Sequence, residues 1–249
     1  MIGQPERVTQ NRIVKLFTDV LKYEYLGNWE ERDNNSNVEE EILETWLLNR
    51  YDQNLTNKVH TELVERAIYE FTKTVNDQSK SLYDVNKEVY SLLRYGVTVQ
   101  PEIGQNKKTV WLIDWKNPLA NHFAIAEEVT IKGLHKKRPD IVLYVNGIAL
   151  GVLELKRSTV SISEGIRQNL DNQKHLFIKP FFTTIQYVMA GNDIEGLAYG
   201  AIATKEKYFL KWKEVTEETG AAFPHLLAIT KAIRDKAAQY DYPLDKNII

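Results

Sequence analysis

Asp140, Glu154 and Lys156 are the residues whose types and spacing could do chemistry. They bracket two apolar runs, Ile141–Val145 and Ile148–Leu155, joined by Asn146-Gly147. An Asn-Gly pair between apolar runs is a strong hairpin signal. Each predicted strand then carries charge only at its end remote from the turn. Residues two apart on a strand share a face, so Glu154 and Lys156 project together. Charged groups that end otherwise apolar strands are costly unless they are paired or hold a metal. Two carboxylates and an ammonium suit magnesium-assisted hydrolysis of a phosphodiester. Mg²⁺ takes few protein oxygens, keeps several waters and completes its octahedron with a phosphate oxygen. The metal lowers the pKa of a bound water and neutralises charge on the phosphate, while the ammonium positions water or stabilises the transition state.

Register decides whether Asp140 joins the other two. A two-residue loop sets Val145 opposite Ile148 and Asp140 opposite Leu153, on the face away from Glu154. A three-residue loop, a type I turn with Gly147 left-handed, sets Asp140 opposite Val152, and all three groups share one face. A bulge at Gly151 serves equally. One of these two devices is expected.

The elements that must position the hairpin follow from periodicity. Helical spacing links Val8, Ile13, Leu16, Phe17, Val20 and Leu21. A second helix is expected after an Asn37 N-cap, with Glu39, Glu40 and Glu41 in its first turn and Val38, Ile42, Trp46 and Leu47 as its stripe. A third runs through Val59, Leu63, Ile68 and Phe71, and a fourth from Leu82 to Leu93, ended by Gly96. From Gly96 the period shortens. Strands are expected at 97–99, 109–115, 123–131, 141–145, 148–155, 184–190 and 197–204. A helix over 162–176 opens on the capping-box sequence Ser161-Ile162-Ser163-Glu164, and another is expected near 225–239. Helices first, then a sheet with an embedded helix, indicate one α/β core.

Composition narrows the function classes. The 249 residues are 43% hydrophobic, which supports a substantial core. No apolar run reaches a membrane span of roughly 18 residues, and residues 1–10 lack a secretory signal. Zero cysteines exclude disulfides, thiolate zinc sites and cysteine nucleophiles, and fit a reducing cytoplasm. A net charge of −2 argues against a nucleic-acid partner, but it averages two unlike regions. Residues 1–70 hold 14 acidic and 8 basic residues, and the remainder holds 20 and 24. Lys132, Lys136, Lys137, Arg138, Lys156 and Arg157 crowd the motif, and a phosphate backbone responds to that local field.

Pro139-Asp140 followed by Glu154-Leu155-Lys156 matches the PD-(D/E)xK nuclease motif. The wider wording, Arg138–Val142, Asn146-Gly147 and Leu153–Lys156, resembles the N-terminal nuclease domain of the restriction (R) subunit of type I restriction enzymes. Leu112–Trp115, Asn117, Asn121-His122-Phe123 and Ala190–Asp193 extend the likeness over about residues 5–210. The resemblance implies a restriction-endonuclease-like α/β fold, a mixed central sheet flanked by helices with an extended N-terminal helical portion. It implies a Mg²⁺-dependent endonuclease acting on double-stranded DNA in the cytoplasm. Residues 1–210 would be the nuclease domain (1–95 mainly helical, 96–204 sheet and motif helix), and 211–249 would lead towards an absent motor domain. Asp140 and Glu154 would bind metal, with the Leu155 carbonyl as a further ligand, and Lys156 would be the catalytic lysine. Relatives carry Gln-x-x-x-Tyr on the following helix. Gln168 matches its Gln, but Asn172 stands where the Tyr would be, so that motif's role is open. The intact enzyme would use ATP and partner with modification and specificity subunits. This chain has no G-x-x-x-x-G-K-[ST] loop. Alternatives are a cleavage-inactive DNA-binding or assembly module, or a repair nuclease of the same fold.

Neighbouring polar residues complete the reading. Either Glu127 or Glu128 adds an acid beside the site, since strand alternation lets only one face inward. Some nucleases of this fold use an acid on the first helix. Glu6 is the nearest candidate and is assigned no role. Asp114 reads as a hydrogen-bonded structural acid in a strand. His135 reads as a surface histidine in the basic stretch. The five histidines show no zinc-ligand spacing.

Overall fold

The structure, a computed structural model, describes residues 6–51, 57–101, 104 and 106–212. The helix expected near 225–239 lies outside them.

A mixed sheet forms the centre, as the resemblance implies, and it has seven strands. In chain order the elements are α1 (Glu6–Lys15), β1 (Glu24–Asn28), α2 (Glu40–Tyr51), α3 (Asn57–Val75), α4 (Leu82–Tyr95), β2 (Val97–Val99) and β3 (Lys108–Val110). They continue with β4 (Phe123–Glu127), β5 (Ile141–Val145), β6 (Ile148–Leu155), α5 (Ile162–Asn172), β7 (Tyr187–Asn192), β8 (Gly196–Gly200) and β9 (Leu210–Lys211). The sheet order is β1-β4-β5-β6-β7-β8-β9, with β1–β4 and β6–β7 parallel and the other pairs antiparallel; β2 and β3 form a separate ribbon.

Three helices bury their stripes away from the motif. Leu43 and Leu47 of α2, Leu63, Val64, Ala67 and Phe71 of α3, and Val85, Val89 and Leu93 of α4 share one apolar cluster, which also takes in Ile148. The turn end of the β5–β6 hairpin is plugged into this cluster. The Gly147 carbonyl accepts from the Glu39 amide at 2.8 Å, and a Cβ on Gly147 would stand 2.6 Å from the Glu39 carbonyl oxygen. Asn146 and Gly147 both have positive φ, 52° and 80°, the two left-handed residues of a two-residue hairpin turn.

The two sheet faces carry different partners. Ile13 and Phe17 pack on Ile125, Ile141, Leu153 and Leu155, which puts α1 and the turn after it on one face. Ile162 and Ile166 pack on Ala190 and Ala198, which puts α5 on the other.

Several local expectations change. The second helix starts at Glu40 rather than behind an Asn37 cap, because the Asn37 side chain donates to Thr183 Oγ1 at 2.9 Å and to the Pro180 carbonyl. Gly96, with φ 77°, ends α4 as expected. The 109–115 strand is confined to Lys108–Val110, and the 123–131 strand stops at Glu127. The capping box at α5 is only half made. Ser161 Oγ accepts from the Ser163 amide, while Glu164 turns to Arg167 and Glu195 takes the Ile162 amide at 2.9 Å. Strand β1 has no counterpart in the sequence reading. Its five residues show no alternation, and its pairing with β4 is broken by an irregularity between Tyr25 and Gly27.

Candidate active site

The hairpin uses a two-residue turn and a bulge together. Val145 pairs with Ile148 and Tyr144 with Ala149, but Leu143 then pairs with Gly151, leaving Leu150 as the extra residue. Beyond the bulge Val142 faces Val152 and Ile141 faces Leu153, a register that continues to Asp140 opposite Glu154. The bulge beside Gly151 is therefore the device that operates. The three-residue loop is not used, and Asp140 comes opposite Glu154 itself rather than Val152. An inserted residue shifts the parity of one strand, which restores both acids to the α5 face.

Burial makes this pair electrostatically unusual. Glu154 is 0% exposed and Asp140 8%. Asp140 Oδ2 accepts from the Leu155 amide at 2.6 Å, and Glu154 Oε2 accepts from Gln168 Nε2 at 2.7 Å. Glu154 Oε1 is buried with no hydrogen-bond partner among the described residues. The Lys156 ammonium lies 3.9 Å from Glu154 Oε2. Burial pushes the Asp140 carboxyl up to about 6, opposed by the Leu155 amide and Lys156 and reinforced by the charges of Glu6 and Glu128. Glu154 is raised well above the ordinary carboxylate range, first by burial and then by the Asp140 charge. Lys156 alone does not compensate two buried acids.

Helix α5 reaches the site because Gly165 lets it lie close. A Cβ there would meet Ala190 Cβ at 3.1 Å and Glu154 Cβ at 3.5 Å. Gln168 follows one turn later and touches Glu154. Asn172, a further turn along the same face, is fully buried, and neither of its side-chain polar atoms has a partner among the described residues.

The acidic neighbours on β4 behave differently from expectation. Glu128 has φ 53°, so it leaves the strand alternation and both carboxylates converge on α1. Gln10 Nε2 donates to Glu127 Oε2 at 3.2 Å and to Glu128 Oε1 at 2.9 Å, and Arg7 pairs with Glu127 at 3.0 Å. Arg138 Nε pairs with Glu128 at 2.8 Å. At the other end of the site Asp193 accepts from Thr9 Oγ1 at 3.0 Å and pairs with Arg12. These α1 contacts had no signal in the sequence: Arg7, Thr9, Gln10 and Arg12 are ordinary polar helix residues until the sheet is folded. Glu6 is near enough for its charge to raise both acids.

The remaining residues stand apart from this centre. Asp114 is a structural acid in a loop rather than a strand, accepting from the Lys116 and Asn117 amides and pairing with Arg50 at 2.5 Å. His135 rests against the Phe177 ring. Among the described residues no cluster of three or more His, Cys, Asp or Glu side chains is preformed as a metal site, and no helix is long and apolar enough to cross a membrane.

Comparison with known proteins supplies the context. A family model described as the type I restriction enzyme R protein N terminus matches residues 3–207. A Methanocaldococcus jannaschii chain, provisionally named as the type I restriction enzyme MjaIXP endonuclease subunit, is 24% identical over 73% of this chain and 18% of its own length. The type I restriction enzyme HindI endonuclease subunit of Haemophilus influenzae is 27% identical over 66% of this chain and 16% of its own. The Escherichia coli EcoprrI endonuclease subunit is 32% identical over 31% of this chain and 23% of its own. The chain thus spans less than a fifth of the first two relatives.

Proposed function

The chain belongs to the type I restriction enzyme R protein N-terminal family, and from that premise we propose that it is the Mg²⁺-dependent endonuclease module of such an enzyme. It would hydrolyse phosphodiester bonds of double-stranded DNA in the cytoplasm, within a larger ATP-dependent translocating complex that includes modification and specificity subunits. Residues 1–210 would be the nuclease domain, and 211–249 would lead on to the motor.

One observation carries this reading: two buried acids meet on one sheet face, and one carboxylate oxygen of Glu154 has nothing to bind. Such an oxygen beside a second carboxylate is a cost that a divalent cation would remove. Asp140 and Glu154 would hold the metal. The Leu155 carbonyl would be a further ligand; on an extended strand a residue's carbonyl lies on the same side as its amide, and the Leu155 amide meets Asp140. When bound, Mg²⁺ neutralises charge on the scissile phosphate and acidifies a water. Lys156 would set its ammonium against the phosphate oxygens, or hold the attacking water, from its position beside Glu154. Gln168 would fix the Glu154 carboxylate by the contact at 2.7 Å. Asp140 and Lys156 keep slight exposure, whereas Glu154 is fully buried.

The test is cleavage of duplex DNA by the assembled enzyme carrying Asp140→Asn, Glu154→Gln or Lys156→Ala. Cleavage should fall by about a thousandfold or more with folding kept. Undiminished cleavage by any of the three would overturn its assigned role.

A further inference from the structure

Resting on that reading, we propose that two loops beside the site, 132–138 and 173–179, form one surface that grips duplex DNA. The pairing of β4 with β5 does not stop where the sheet ends. The Glu128 amide bonds to the Asp140 carbonyl at 2.9 Å, Val129 to Pro139 at 3.0 Å, and Ile131 and Lys137 exchange bonds at 2.8 and 3.1 Å. Residues 128–140 are therefore an arm that extends the sheet past the very strand end that carries Asp140, with 132–136 at its tip.

The arm leans on the turn that follows α5. The His135 amide donates to the Leu176 carbonyl at 3.1 Å, and Lys137 Nζ lies 4.2 Å over the Phe177 ring. Gly133 passes so close that a Cβ would stand 2.1 Å from the Phe177 carbonyl oxygen. This contact joins two segments that are far apart in sequence into one face.

That face is basic with an apolar tip. Lys132, Lys136 and Lys137 come from the arm, and Lys174 and Lys179 from the turn. Lys132 and Lys174 have only exposed carboxylates, Asp33 and Asp171, as partners. Lys136 and Lys179 have no ion pair among the described residues. Leu134 and Leu176 stand 66% and 56% exposed between them. Lysines around protruding aliphatic side chains fit a duplex, with phosphates on the ammonium groups and an apolar wedge at a minor-groove step. Three residues separate Lys136 from Asp140 along the arm.

Binding of the full chain to a fluorescein-labelled 25-base-pair duplex in EDTA, followed by anisotropy across a KCl series, tests the surface. The double variant Lys136→Glu/Lys179→Glu should bind at least about tenfold more weakly, and its log–log salt slope should shrink by about two. Leu134→Ser should weaken binding about threefold or more with the slope unchanged, because it removes no phosphate contact. Lys73→Glu, on the remote helix α3, should change neither. Equal affinity and slope for the double variant overturn the proposal, as does an equal loss in Lys73→Glu or the absence of duplex binding by the unaltered chain. Leu134→Ser binding as tightly as the unaltered chain overturns the wedge. None of these outcomes touches cleavage by the assembled enzyme, so the nuclease reading stands or falls separately.

Discussion

The β5–β6 hairpin buries polar side chains at both ends and treats them in opposite ways. At the turn, Asn146 is 0% exposed and fully used: Nδ2 donates to the Leu112 carbonyl at 2.9 Å and to Asn121 Oδ1 at 2.8 Å, and Oδ1 accepts from the His122 amide at 2.7 Å. At the other end Glu154 is equally buried, yet one oxygen has no partner and the carboxyl is driven up by burial and by Asp140. The turn end is sealed by the helical cluster, and its polar atoms serve stability. The open end retains an unmet demand. Other buried polar atoms also lack partners among the described residues, His122 Nδ1 and both Asn172 atoms among them, but Glu154 Oε1 belongs to a carboxylate that faces a second buried acid.

Breaking the closed end should cost most. Asn146→Ala removes three hydrogen bonds, taking the Asn146 partner from the Leu112 carbonyl and the His122 amide, and puts a Cβ-bearing residue without a polar side chain at positive φ, so unfolding in urea should show a loss of about 3–5 kcal/mol. The open end should respond with the opposite sign. Removing charge by Asp140→Asn should stabilise the metal-free protein at pH 8 by about 2 kcal/mol. The pH dependence sharpens this contrast. The fold binds the Asp140 proton more tightly than the unfolded chain does, with a pKa of about 6 against 3.8. Its stabilising contribution is complete at pH values below the ordinary carboxylate range and is lost as pH rises through about 6. The advantage of Asp140→Asn should therefore grow between pH 4 and 7, as read by thermal melts in EDTA; a constant difference would contradict it. A smaller effect, about 1 kcal/mol, is expected for Gln168→Ala, which removes the contact at 2.7 Å to Glu154. Gly165→Ala should change stability least, within about 1 kcal/mol, because better helix propensity offsets the push against Ala190.

The same contrast explains what could be read from sequence. Asn146-Gly147, the apolar runs and the even spacing of the acids fixed the hairpin and the need for a register shift, because turn chemistry and strand parity are local. The Asp140–Glu154–Lys156 grouping was legible for the same reason. Convergence of both Glu127 and Glu128 was not, since a positive φ at a glutamate has no sequence signal. Nor was β1, a short strand without alternation that exists through its pairing with β4. The complete burial of Asn172 was not legible either, because tertiary packing around α5 sets it.

Calorimetric titration of the metal-free protein with Mg²⁺ or Mn²⁺ tests most directly whether the unmet oxygen at the open end is a cation site. The account predicts one saturable divalent site in the unaltered chain, lost in Glu154→Gln and Asp140→Asn and kept in Asn172→Ala and Lys156→Ala. Equal binding by the unaltered chain and Glu154→Gln, or no binding by either, would contradict it.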